Sequence, residues 1–438
     1  MNENNISLEL KEIINDFNNQ AFDIALEKLI LKSKQYPNDY IINKLFASIY
    51  SKKKDWKNVI KYYEKTLILE KEKFKTHTNI GVAHFQLGQI NKSINAFKKS
   101  IENNSRFDLA FANLGISYLE IGMYQNAINN FVCALKLNKN NFFAQNNLIN
   151  IFNLIKPDNI NEHPIININY KISQIIDNHK IKNLNELENI KKILNESNNI
   201  IENFYDDLLF NETQIYRKNS KNLNCKRHFN VFNRFNIIPK FCFSCYKIQI
   251  NLKNIVDLIK LFFIFDNLNL ENNNIRKCMV EIRNNINGNY KGYIYCSGLE
   301  EAKLILKKMK SILDKKIENF EFEIKHGCSE FYEKYPKFKK INFNGDQEIT
   351  YNEDWNKKEK IIDEEDNIRI NADKKIWGKS LNGINLSDIL IIKNWISYAE
   401  TIGDRSYKSI FTKKINSEFI KNILQSQLEF RIKESQNN

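Results

Sequence analysis

The chain has 438 residues, 42% hydrophobic and 12% aromatic, which is enough for packed cores in two or three domains and too apolar for long disordered stretches. Only 12 glycines and 5 prolines argue against a β-rich fold built on many tight turns. The formal charge of +14 is spread along the chain instead of gathered in one stripe, which reads as a solvated surface and not as a nucleic-acid footprint.

The N-terminus, Met1 to Glu9, is polar and lacks an apolar signal core. The longest apolar stretch, Ile259 to Phe265, is far too short to span a bilayer. These features predict a soluble, cytoplasmic protein. Seven cysteines, an odd count, fit thiols or metal ligands in a reducing compartment better than a disulfide framework.

From the N-terminus the first organised pattern is an internal period. Ile80-Gly81 and Leu114-Gly115 stand 34 residues apart, and so do Gly88 and Gly122, and Phe97 and Phe131. The same phase relates Ser93 to Ala127 and Ser100 to Ala134, and reaches back through Tyr50, Trp56 and Tyr63 to Phe22, Ala25 and Pro37. Four repeats therefore begin near Ile6, Tyr40, Phe74 and Asp108. Each reads as two amphipathic helices joined by a short turn. Gly81, Gly115, Ala127 and Ala134 sit where helices cross closely, and Tyr50, Tyr63, Phe97, Tyr118 and Phe131 fill the gaps between them. No single unit buries its own apolar face, so stacking supplies the core.

These residues resemble the tetratricopeptide repeat family over about a third of the chain, with Asp108 to Lys139 the best-matching unit. A further helix, Phe142 to Leu154, is similar to the capping helix of such arrays, and Pro157 stops it. The resemblance implies a right-handed superhelix whose concave groove is lined by the first helix of each pair. It places Lys44, Ser48, Lys75, Thr78, Val82, Phe85, Leu109, Ala112, Ile116, Asn146 and Asn150 on that wall. Some family members clamp a chaperone's C-terminal carboxylate. Lys44 and Asn79 match that clamp, but Ser48, Leu109 and Asn113 depart from it, which argues against that ligand. The expected partner is an extended or helical peptide segment of a protein, the alternative occupant being this chain's own C-terminal region.

Residues 157–215 read as a helical linker, with helices predicted over 184–209 and around Phe204 to Phe210. Beyond it, 216–345 reads as an α+β domain and 346–438 as a loop and helical extension. Strands are predicted at Tyr246 to Leu252, Arg276 to Arg283, Tyr290 to Ser297 and Asn319 to Lys325, and helices at Asn254 to Asp266 and Leu299 to Lys315. The order βαββαβ predicts a ferredoxin-like domain with flanking helices. A symmetric hairpin would set Cys278 opposite Cys296, as core thiols or as a metal or redox pair. Further on, a short helix is predicted from Cys328 to Tyr335, loop over 340–375 with a solvated acidic run Asp363 to Asp366, and helices at Ser387 to Ile402 and Asn416 to Glu434.

The sharpest local chemical signal is Cys225-Lys-Arg-His228, then thirteen intervening residues, then Cys242-Phe-Ser-Cys245. Two chelating pairs with this spacing can close a tetrahedral zinc site of three thiolates and one imidazole. The competing readings are a hydrophobic segment with incidental thiols and a redox pair at Cys242 and Cys245. Lys291-Gly292-Tyr293-Ile294-Tyr295 resembles the start of the third-strand motif of RNA-recognition modules, with both tyrosines on the open face of the sheet. Ile294, Cys296, Gly298, and Gln249 on the first strand depart from that motif. Gly378-Lys379-Ser380 is only the tail of a phosphate loop, and HExxH, GxSxG and GxGxxG do not occur. His326, Gly327, Cys328 and Glu330 form a neighbourhood that suits a cysteine-based site or arises by chance. The leading reading is a protein-interaction scaffold with a second binding or regulatory module. The alternatives are an enzyme built on the Cys/His cluster and an RNA-binding module.

Overall fold

The 34-residue period becomes a regular alternation of helices in the computed structural model, which describes residues 3–69, 73–203, 208–219, 221, 223–284, 286–370, 378–413, 415 and 417–436. Four antiparallel pairs follow one another: α1 (Glu3–Asn18) with α2 (Phe22–Gln35), α3 (Tyr40–Lys52) with α4 (Trp56–Leu69), α5 (Lys73–Gln86) with α6 (Ile90–Asn103), and α7 (Asp108–Glu120) with α8 (Tyr124–Leu137). Helix α9 (Phe142–Ile151) continues the phase. The chain divides into two compact units, the first Met1–Leu148 with Glu365–Ile376 and the second Ile149–Glu364 with Trp377–Asn438.

Within the repeats the small-residue rule has an atomic basis. A Cβ added to Gly81 would lie 2.6 Å from the ring of Phe97, and one added to Gly115 would lie 2.6 Å from the ring of Phe131. Both rings are fully buried, so they seat directly on helix backbone. Buried hydroxyls brace the same interfaces. Thr78 bonds Ser100 at 2.8 Å, and Ser93 bonds Ser117 at 3.1 Å. In the earlier pairs, where no such glycine occurs, Phe46, Tyr50 and Tyr62 stack instead, with centroids 4.4 to 6.3 Å apart.

Each pair turns through one residue in left-handed backbone: Gln20 at φ 63°, Lys54 at 59°, Gly88 at 70° and Gly122 at 77°. The conformation recurs every 34 residues, but only the last two pairs use the residue that adopts it without steric cost. Replacing exposed Lys54 by glycine is therefore expected to stabilise the chain by up to about 1 kcal/mol. A denaturant titration would detect this as a raised midpoint, and a lowered midpoint would count against strain at that position.

The second unit begins with α10 (Pro164–Asn178) and α11 (Leu187–Glu202). The predicted helix around Phe204 to Phe210 lies largely outside the described residues. Next come β1 (Gln214–Arg217), α12 (Cys225–Phe235), α13 (Lys240–Phe243), β2 (Tyr246–Leu252), α14 (Ile255–Asp266), β3 (Arg276–Val280), β4 (Tyr290–Cys296), α15 (Leu299–Leu313) and β5 (Phe320–His326). The five strands form one antiparallel sheet in the order β1-β3-β4-β2-β5. Helices α14 and α15 cover one face. Gly292 lets α14 approach closely, since a Cβ there would lie 2.3 Å from Leu261.

Several expectations need correction. Cys278 pairs with Gly292 and Cys296 with Tyr246, so the two thiols are not opposite one another. Val280 pairs with Tyr290, whereas a hairpin that sets Cys278 opposite Cys296 would pair it with Ile294, so the register is shifted by four residues. Cys328 to Tyr335 is a run of turns, and the short helix α16 starts at Pro336 (Pro336–Lys339), where proline suits the first helical position. The stretch expected to be loop contains α17 (Trp355–Ile370). Asp363 is not merely solvated, because its carboxylate takes two hydrogen bonds from Arg227, at 2.5 and 2.8 Å. After α18 (Leu386–Ile402) the expected final helix is two, α19 (Glu418–Leu424) and α20 (Leu428–Gln436).

Candidate binding surfaces

In the array, Ile41, Lys75, Leu109 and Phe143 recur every 34 positions near the starts of α3, α5, α7 and α9. The three apolar members are 47 to 48% exposed. The shared 34-residue phase gives all four equivalent places in successive repeats, and α5 adjoins α7. Of the residues expected on the groove wall, Lys44, Lys75, Leu109 and Asn150 are exposed, while Ser48, Val82, Phe85, Ile116 and Asn146 are half-buried. Lys44 reaches the Tyr40 hydroxyl at 3.2 Å, and Lys75 lies over the Phe74 ring. Thr78 and Ala112 are buried. Thr78 spends its hydroxyl on Ser100, so it braces the helix pair and offers nothing to a ligand. The Asn146 side-chain oxygen is buried without a hydrogen-bond partner.

In the second unit the sheet face away from α14 and α15 is polar. Strand register sets Tyr216, Lys277, Tyr293, Gln249 and Glu323 side by side across all five strands. The adjoining row holds Tyr295, Lys247 and Lys325. An open cleft of about 710 Å³ lies on this face, with Lys247, Arg283, Lys291, Tyr293 and Lys325 in its wall. Two of the three residues of the RNA-motif reading are structurally committed. Lys291 is 1% exposed and bonds the fully buried Glu281 at 2.9 Å. Tyr293 is 4% exposed, with the ammonium groups of Lys277 and Lys247 4.8 and 5.5 Å from its ring centre. Tyr295 is half-buried. Burial by itself would raise the Glu281 carboxyl, but Arg283 and Lys291 outweigh it and hold the group down at about 2.

Lys277 has no carboxylate within ion-pair distance among the described residues. Burial, with the neighbouring charges of Lys247 and Arg283, pushes its ammonium down to about 8. Its folded value lies below its unfolded value, so between pH 8 and 10.5 the unfolded chain binds more protons and Lys277 adds stability as pH rises. Lys277→Met is expected to stabilise the protein at pH 7 by about 1 kcal/mol and to remove that rise. Urea midpoints at pH 7 and 9.5 would check this, and a variant less stable at pH 7 would overturn it.

Cys225 opens α12 and is exposed, while Cys242 in α13 and Cys245 just before β2 are buried. His228 is stacked on Phe241 with centroids 5.1 Å apart. Burial and the adjacent Arg227 push its imidazole down to about 4, and its other electrostatic neighbours are Glu359 and Asp363, not thiols. Sequence reasoning left Cys328 out of the metal set and joined it to these residues only in the enzyme alternative. Cys328 packs against the buried cluster that holds Cys242, Phe331 and Phe338. Among the described residues, no three His, Cys, Asp or Glu side chains already stand in metal-coordinating geometry. No described helix is long and apolar enough to cross a membrane.

The tetratricopeptide repeat family model matches residues 74–107, which are the third helix pair. Among curated proteins no relative matches the chain. A crystal structure of MamA is similar at a TM-score of 0.30 and 18% identity, covering 32% of this chain and 81% of that one. A second crystal structure of the MamA protein gives 0.32 and 16%, covering 46% of this chain and 97% of that one.

Proposed function

We propose that the chain is a protein-interaction scaffold whose helical repeats hold an extended or helical segment of a partner along the first helices of the pairs. The observation that carries this reading is the exposed series Ile41, Leu109 and Phe143, which occupies equivalent places in successive repeats. Such a row gives a peptide regularly spaced apolar contacts, with Lys44 and Lys75 supplying charge at the early end. The second unit serves as a further binding or regulatory module. Its element order βαββαβ, with β3-β4-β2-β5 side by side and β1 added at the edge, supports a ferredoxin-like reading. Seven free thiols suit a reducing compartment such as the cytoplasm.

The test is selection of displayed peptides on the full chain, followed by affinity measurement against Leu109→Glu, Phe143→Glu. Both positions are exposed, so the variant is expected to keep the wild-type melting temperature. A loss of about tenfold or more in affinity, roughly 1.4 kcal/mol, is expected. Selected peptides that bind the variant as well as the wild type would overturn the groove assignment.

A further inference from the structure

Strand pairing brings together cysteines that are distant in sequence. In the β2–β5 ladder, Tyr246 lies opposite His326. One step beyond, Cys245 meets Gly327, whose N–H donates to the Cys245 carbonyl at 2.8 Å. The next residue is Cys328, which the same ladder delivers beside the Cys242–Cys245 turn. That turn is tight, with the Cys245 N–H donating to the Cys242 carbonyl at 3.3 Å. Gly327 is required by the approach, because a Cβ there would lie 2.4 Å from the Cys245 sulfur. Cys328 packs against the buried cluster that holds Cys242, and Cys225 at the start of α12 is near enough to interact electrostatically with Cys242, Cys245 and Cys328. Four of the seven cysteines thus come from three separate segments to one end of the sheet. Cys278 and Cys296 sit elsewhere, buried on the helix-covered face, and Cys133 belongs to α8.

We infer that Cys225, Cys242, Cys245 and Cys328 are the ligands of one thiophilic metal ion, zinc in its simplest form, and that His228 is not a ligand. Four thiols gathered from α12, the α13–β2 turn and the end of β5 make a soft, tetrahedral donor set. The four are grouped without closing on one point, so coordination requires side-chain adjustment. Binding exchanges thiol protons for metal–sulfur bonds, so affinity falls as pH falls. His228 is held elsewhere by its stacking on Phe241. The ion would tie α12 to the edge of the sheet, beside the polar face.

The experiment uses the full chain, purified without chelator and loaded with zinc. Metal content is measured for the wild type, Cys328→Ser and His228→Ala, and thiol protection from alkylation is mapped by mass spectrometry in the wild type. About one zinc per chain is expected in the wild type and in His228→Ala, and close to none in Cys328→Ser. In the wild type, Cys225, Cys242, Cys245 and Cys328 should gain protection together on loading and lose it together to a chelator, while Cys133 is unchanged. Because that readout needs no substitution, it stands even where Cys328→Ser fails to fold. Loss of zinc in His228→Ala with Cys328 still alkylated would replace this ligand set by the three-thiolate, one-imidazole set. No bound zinc, with all four thiols equally reactive with and without it, would overturn the site altogether.

Discussion

Replacing Arg217 by alanine is expected to destabilise the second unit by about 3–5 kcal/mol, the cost of stranding buried carboxylates. The Arg217 guanidinium is 3% exposed, bonds Asp266 at 2.5 Å and Asp388 at 2.9 and 3.1 Å, and donates to the Gly383 carbonyl at 2.8 Å. It also lies 4.9 Å from the centre of the Phe262 ring. One side chain on an edge strand thereby fixes α14 and the start of α18, whose first turn Asp388 closes in a capping box with Asn385. Burial pushes the Asp388 carboxyl up even with Arg217 present. Without the guanidinium it rises further, so the folded variant binds more protons than the unfolded chain below neutrality. The variant's deficit should therefore shrink between pH 7 and pH 5. Urea midpoints at both pH values measure this, and a deficit below about 1 kcal/mol at pH 7 would show that the pair is dispensable.

Phe131→Ala should cost a similar amount in the array, about 3–5 kcal/mol, because it empties a fully buried site facing bare helix backbone. Gly115→Ala should cost about 1–3 kcal/mol on its own, since the new methyl group overlaps the Phe131 ring. The double variant is the sharper measurement. With the ring gone, the methyl group enters the vacated space, so Gly115→Ala should add almost nothing to Phe131→Ala or recover part of its loss. Additive effects in the cycle would mean that the contact is not what glycine serves.

The parts of the fold that were legible in the sequence are those set by local repetition. Gly81, Phe97, Gly115 and Phe131 announce their contact through spacing alone, because each interface is rebuilt from the same positions in the next unit. The strands at Tyr246, Tyr290 and Phe320 were legible from alternation, since one face packs on helices. Elements whose partners are distant were not legible. Strand β1 has four residues and owes its place to Arg217 and to pairing with β3. Helix α17 is charged enough to read as loop, and Arg227 from α12 bonds both Glu359 and Asp363 on it.

The candidate sites divide in the same way. Leu109 was expected on the groove wall and is exposed, whereas Thr78, expected on the same wall, turns inward to Ser100, and exposed Ile41 and Phe143 were not expected there. For the thiols, short-range spacing paired Cys225 with His228, while the association of Cys328 with Cys242 depends on which strand lies beside β2. No window of adjacent residues carries that information. The local clue was Gly327, which is small where the Cys245 sulfur presses against it.

The left-handed turn residues make the four helix pairs unequal in a way that bears on how the array assembles. Gln20 and Lys54 hold strained backbone, whereas Gly88 and Gly122 do not, and the Gly81–Phe97 and Gly115–Phe131 contacts occur only in the later pairs. In a linear stack that gains its stability from neighbour to neighbour, folding starts where the units and their interface are strongest. The third and fourth pairs are that place. Amide exchange should accordingly be slowest in α6 to α8, with α1 to α4 forming on them as a template and opening first when the array comes apart.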